Sequence, residues 1–167
     1  MSGKKVLVAY GSKYGSTAEI ASRIGAVLGE HGHAVEVREA GGVRDLAPYD
    51  AVVLGGALYV GRWHRAARRF ARRHRKALRA TKVWLFSSGP LNNSAPRLPP
   101  EPGVMRTSLR LHSRGHTTFG GRLDDTASGW PARRLLAAGR GGDFRDFDAV
   151  TAWAENIARE LEKDEPS

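Results

Sequence analysis

The segment VLVAYGSKYGST, residues Val6 to Thr17, sets an apolar run directly against a loop of glycines and hydroxyls. Val6, Leu7, Val8 and Ala9 form the short continuous apolar stretch of a strand buried on both faces. Tyr10 to Thr17 then supplies Gly11 and Gly15, the hydroxyls of Ser12, Ser16 and Thr17, and the cation Lys13. Helical periodicity follows at once, with Ile20, Ile24, Val27 and Leu28 on one face. A strand, a small hydroxyl-rich loop and a helix start make an anion site. The first amides of a helix have no internal partner, and the helix dipole places partial positive charge there. The loop is not a Walker A loop, because no Gly-Lys-Ser/Thr closes it. It is not the dinucleotide fingerprint, because Gly11 and Gly15 do not give G-x-G-x-x-G. The plain alternative is a tight strand-to-helix turn with a Ser or Thr cap.

The flanking sequence alternates between strand and helix patterns. The first strand covers about Lys4–Tyr10 and the first helix about Ser16–His31, with Gly32 placed to end it. Ala34–Arg38 alternates as a second strand, Gly41–Pro48 is a loop with Leu46 turned inward, and Ala51–Gly56 is a third, buried strand. Arg62–Arg79 reads as a helix and Lys82–Ser88 as a fourth strand. Gly89–Pro102 is a loop, Val104–His112 a helix, His116–Gly121 a fifth strand, Trp130–Ala138 a short helix and Asp146–Leu161 a final helix. Strands separated by helix-length segments imply right-handed crossovers and a parallel sheet.

In such a sheet, ligands bind beyond the carboxyl ends of the strands, where strand order switches. Three of these ends are small, glycine-bearing and nearly uncharged: Ser12–Thr17, Gly55–Tyr59 and Ser87–Leu91. They suit a flat, partly apolar ligand gripped by backbone groups. No acid–base dyad, nucleophile–base pair or metal cluster stands at these tips, so a bound cofactor has to carry the chemistry.

Composition bounds the reading. The 167 residues are a one-domain length, and an apolar fraction of 41% supports a real core. The absence of cysteine excludes disulfides, thiolate metal sites and cysteine nucleophiles. No apolar run has signal-peptide or transmembrane length, so a soluble cytoplasmic protein is the expectation. The net charge of +10 is uneven: residues 51–123 hold fifteen Lys and Arg against one acid, Glu101. Such an excess attracts something anionic.

The sequence resembles the flavodoxin-fold proteins. More narrowly, it is similar to the flavodoxin-like protoporphyrinogen oxidase (quinone-dependent dehydrogenase) family, whose members tend to be basic where short-chain flavodoxins are acidic. The resemblance covers nearly the whole chain. It rests on Ser12-Lys13-Tyr14-Gly15-Ser16-Thr17, on GGALYVGRWHRAARRF at 55–70, on GGDFRDF at 141–147 and on WAENIA at 153–158. It implies one flavodoxin-like domain over residues 1–167, an open five-stranded parallel α/β sheet of order 2-1-3-4-5 with helices on both faces. It also implies FMN as cofactor and oxidoreductase or electron-transfer chemistry, with protoporphyrinogen as a substrate and a quinone or other redox partner as acceptor. By the same resemblance Ser12, Lys13, Tyr14, Gly15, Ser16 and Thr17 would bind the FMN phosphate. Gly56, Ala57, Leu58 and Tyr59 would lie along the isoalloxazine ring, and Ser88, Gly89 and Leu91 would approach its other edge. The Ser87–Leu91 loop carries no aromatic, so a single stacking side chain, Tyr59 or Trp63, would leave one ring face open to a substrate or quinone. Helical spacing with Ala66, Ala67, Phe70 and His74 reads Trp63 instead as part of a core-facing stripe.

The Arg62–Arg79 segment carries nine Arg and Lys residues. The bland reading is a solvated face with long apolar stems. Like charges at i,i+3 and i,i+4 nonetheless disfavour a helix, so an anionic surface is the alternative. An anionic membrane at the inner face of the cell would serve, each nearby basic residue contributing about 1 kcal/mol. The rival to redox chemistry is a basic binding module on nucleic acid or membrane, but no stacking platform or reading motif supports nucleic acid. His64, His74, His112 and His116 read as surface or packing histidines.

Overall fold

The structure is a computed structural model that describes residues 3–11, 16–59, 62–89, 102–119, 122–123, 142–143 and 147–163. Strand β1 (Lys5–Gly11) is followed by helix α1 (Ser16–Glu30), β2 (Ala34–Glu39) and a 3-10 turn at Ala40–Gly42. Strand β3 (Ala51–Tyr59) turns back through the short β4 (Arg62–Trp63) into α2 (Arg65–Arg73) and α3 (Arg75–Arg79). Next come β5 (Lys82–Ser88), α4 (Pro102–Leu111) and β6 (Gly115–Phe119). A two-stranded antiparallel ribbon, β7 (Arg122–Leu123) with β8 (Gly142–Asp143), precedes the last helix, α5 (Phe147–Lys163).

The parallel strands lie in the order β2-β1-β3-β5-β6, with β4 antiparallel to β3. Counting only the parallel strands, this is the 2-1-3-4-5 order that the resemblance implies. The chain leaves β1 to one side for β2 and returns on its other side for β3, so the order switches at β1 and β3.

The apolar run of β1 shows why the sheet is covered twice. Val6 and Val8 enter one core, with Ile20, Ile24 and Leu28 of α1 and Val150, Ala154, Ile157 and Leu161 of α5. Leu7 and Ala9, the alternate positions, enter the other, with Ala67, Phe70 and Ala71 of α2, Leu78 of α3 and Val104 and Leu111 of α4. Period-two alternation sends consecutive side chains to opposite faces, so a strand with no polar position needs a core on each side. Trp153 of α5 closes the first core edge-on to Phe86 and Phe119, at centroid distances of 6.1 and 5.7 Å.

Most expected boundaries hold within a residue or two. Gly32, with φ of +90°, follows the end of α1, as the sequence suggests. Leu46 is buried. The basic segment differs: the expected single helix over Arg62–Arg79 is a strand pair, a helix and a second short helix. Trp63 reaches the core from β4, paired with Leu58, so a core-facing position at helical spacing is met from an extended backbone. His64 then caps α2, its Nδ1 accepting from the Ala66 N–H at 3.1 Å. The helix breaks at His74, where Arg72, Arg73, Arg75 and Lys76 give it no i,i+4 charge support. The loop beyond Gly89, the short helix at 130–138 and the tail after Lys163 lie outside the described residues.

Candidate functional site

The register places the three expected tips side by side. Gly11 at the end of β1 stands opposite Gly56 of β3, and Ala57 stands opposite Ser88 of β5. Adjacent strands are about 4.8 Å apart, so the three ends span one small-molecule width. Of the expected contacts, Thr17, Gly56, Ala57, Leu58, Ser88 and Gly89 are described with their surroundings. Ser16 and Tyr59 belong to α1 and β3, and Ser12, Lys13, Tyr14, Gly15 and Leu91 lie outside the described residues.

The glycines at this edge are required by close packing. A Cβ on Gly11 would stand 2.8 Å from the Ala67 amide nitrogen and 2.9 Å from His64 Nδ1, so the start of α2 presses on the end of β1. A Cβ on Gly55 would fall inside the Phe86 ring. A Cβ on Gly56 would stand 2.7 Å from Trp63 Nε1 and 2.9 Å from Ala67 Cβ. Gly56 thus receives the indole of Trp63 against its backbone. Trp63 itself is only 2% exposed, which fits the core-stripe reading and leaves it no surface for stacking.

Gly89 holds the end of β5 in place. Its φ of +117° is a conformation that side chains resist, and its N–H donates to the Phe119 carbonyl at 2.7 Å. A Cβ there would be 3.5 Å from Leu58 Cβ, so the tips of β3 and β5 touch. The His64 N–H donates to the Ala57 carbonyl at 2.7 Å, which ties the start of α2 to the same edge.

Thr17 is the most informative polar residue. It lies in the first turn of α1, is fully buried, and its Oγ1 has no hydrogen-bond partner among the described residues. A buried hydroxyl without a partner costs about 1–3 kcal/mol. At the amino end of a helix, next to the loop that leaves β1, such a hydroxyl and the free helix amides can donate to an anion. A phosphate fits the donor set, so the residues present fit a phosphorylated cofactor.

Two histidines beside the edge make contacts that the sequence did not reveal. Burial, then the charge of Arg68, holds the His64 pKa down, which agrees with Nδ1 acting as an acceptor toward α2. Burial pushes His116 down to about 4, and its Nε2 lies 3.0 Å from Ser87 Oγ, one residue before the end of β5. The pair is 29 positions apart in sequence and joins two neighbouring strands, so no local pattern announces it. Among the described residues no cluster of His, Cys, Asp or Glu could hold a metal.

Comparison with known proteins agrees with this arrangement. A profile described as the flavodoxin domain matches residues 7–139, well over half of the chain. No curated protein sequence matches. Among solved structures, the rubredoxin oxygen:oxidoreductase of Desulfovibrio gigas superposes with a TM-score of 0.65 at 12% identity, over 97% of this chain. This chain spans only 37% of that protein. A flavodoxin from the domain Archaea gives a TM-score of 0.62 at 15% identity, covering 95% of this chain and 99% of the other. Oxidised flavodoxin 2 of Bacillus cereus gives 0.61 at 19% identity, covering 95% and 98%. At these identities the structures speak for the fold, while the profile match speaks for descent. The chain belongs to the flavodoxin-domain family, and that membership indicates FMN as its cofactor.

Proposed function

We propose that this protein is an FMN-dependent oxidoreductase that takes electrons from a porphyrinogen-type substrate and passes them to a quinone. The observation that carries the reading is the buried Thr17 hydroxyl at the head of α1, without a partner among the described residues, beside three abutting glycine-bearing strand ends. When bound, FMN supplies one- or two-electron redox chemistry. The protein supplies position. Ser12, Lys13, Tyr14, Gly15, Ser16 and Thr17 would hold the phosphate. Gly56, Ala57, Leu58 and Tyr59 would line one side of the ring, and Ser88, Gly89 and Leu91 the other.

The finer assignment rests on the resemblance of residues 55–70 and 141–158 to the oxidase-like branch and on the basic charge. With Trp63 buried, Tyr59 is the remaining candidate for stacking, and a ring covered on one side suits a large planar substrate. A quinone held in an anionic membrane would be approached through Arg65, Arg69 and Arg73, which lie exposed at i,i+4 spacing along one flank of α2. Among the described residues no helix is long and apolar enough to cross a membrane, so this contact would be peripheral.

The test is turnover. FMN-loaded protein should oxidise protoporphyrinogen with a soluble quinone analogue, faster on anionic vesicles carrying the quinone. Arg69→Gln/Arg73→Gln should remove the vesicle effect and leave the soluble rate. Flavin binding without porphyrinogen turnover would confine the protein to electron carriage.

A further inference from the structure

The opposite flank of α2 meets a second helix. Arg68 and Arg72 of α2, Arg75 of α3 and Arg106 and Arg110 of α4 line one groove of about 340 Å³, floored by Ala71 and Leu111. Among the described residues no acidic side chain lines it, and none of the five arginines is in an ion pair. All five are exposed. Each helix alone would be an ordinary solvated face. The fold brings the two sets, more than thirty positions apart in sequence, to facing walls of one cleft. Like charges so gathered oppose folding unless an anion lies between them.

The other flank of the same helix provides a contrast. There Arg65, Arg69 and Arg73 border the 3-10 turn at Ala40–Gly42, and Asp45 is near enough to act on His74. Among the described residues no acidic side chain borders the five-arginine groove. Its volume falls at the lower end of ligand clefts, which favours a compact molecule. Planar guanidinium forks on two walls match the paired oxygens of phosphoryl groups, and several forks match several groups. One fork is already oriented: Arg68 Nε donates to the Trp63 carbonyl at 3.1 Å, leaving its terminal nitrogens for a ligand.

We propose that the groove between α2–α3 and α4 is a second anion site, separate from the flavin cradle, that binds a compact ligand carrying a chain of two or three phosphoryl groups. The test is calorimetric titration of FMN-saturated protein with sodium tripolyphosphate, the flavin phosphate loop being filled beforehand. Binding is expected to saturate at one equivalent. Arg72→Gln/Arg106→Gln should weaken it on the order of tenfold or more. The charge-matched variant Arg69→Gln/Arg73→Gln should leave it within about twofold. Arg75→Gln/Arg110→Gln serves as a second groove variant if the first fails to fold. Three results would overturn the proposal: no saturable binding; equal weakening by both charge-matched variants, which would indicate bulk charge attraction; or groove-dependent binding of anionic vesicles that tripolyphosphate does not compete away.

Discussion

Thr17 concentrates the relation between stability and function at one atom. Its hydroxyl is buried without a partner among the described residues, so it bears a desolvation cost that a bound phosphate would remove. Thr17→Val keeps the shape and deletes the hydroxyl. The variant without flavin should unfold at a temperature no lower than the parent, and its FMN affinity should fall by about tenfold, from the loss of one charge-assisted hydrogen bond. A loss of both stability and affinity would mean that the hydroxyl serves the fold and not the ligand. Gly55 makes the reverse case. A Cβ there meets the Phe86 ring at 1.9 Å, so Gly55→Ala must displace a fully buried aromatic. We expect a destabilisation of about 1–3 kcal/mol, read by denaturant titration. Gly55 and Gly56 carry the same letter in the sequence and stand side by side near the end of β3. The fold separates them, one against Phe86 and the other against Trp63 and Ala67.

At the scale of elements, the strands and the two outer helices were readable because their signals are local. Val6–Ala9 is apolar at every position and needs two cores. Val150, Ile157 and Leu161 repeat at helical spacing and need one. The basic segment was less readable because two conformations satisfy the same pattern. Trp63 enters the core from a hairpin as well as it would from a helix, and only the pairing of β4 with β3 decides between them. The contact of His116 with Ser87 was beyond sequence for a different reason: it depends on β5 and β6 being neighbours. This contact has a pH consequence. Burial lowers the folded-state pKa of His116 to about 4, below the ordinary value of 6.5, so the unfolded chain binds the proton more readily. The stability contributed by neutral His116 is complete above about pH 6.5 and is lost as pH falls toward 4. Thermal unfolding should therefore drop through this window, and His116→Gln should flatten the drop while keeping a partner for Ser87. An unchanged slope in the variant would move the acid sensitivity to another group.

Over the whole molecule, the charge separates from the core. The net charge of +10 comes from arginines and lysines concentrated in residues 51–123, while the described sheet is apolar on both sides. The parallel sheet followed from alternation of elements, and its strand order from the resemblance of short motifs. The division of α2 into two arginine-bearing flanks did not, because it requires knowing that α4 packs beside α3. The cradle was legible as a set of residue types after three strands. The buried Thr17 hydroxyl, without a partner among the described residues, is visible only when the neighbours of Thr17 are known.

The phosphate anchor can be separated from the ring grip by comparing two flavins. Protein freed of flavin would be titrated with FMN and, in parallel, with riboflavin, which has the same ring and no phosphate, following quenching of flavin fluorescence. The account predicts saturable one-to-one binding of FMN and markedly weaker binding of riboflavin. Equal affinity for the two, or no quenching by FMN, would contradict it.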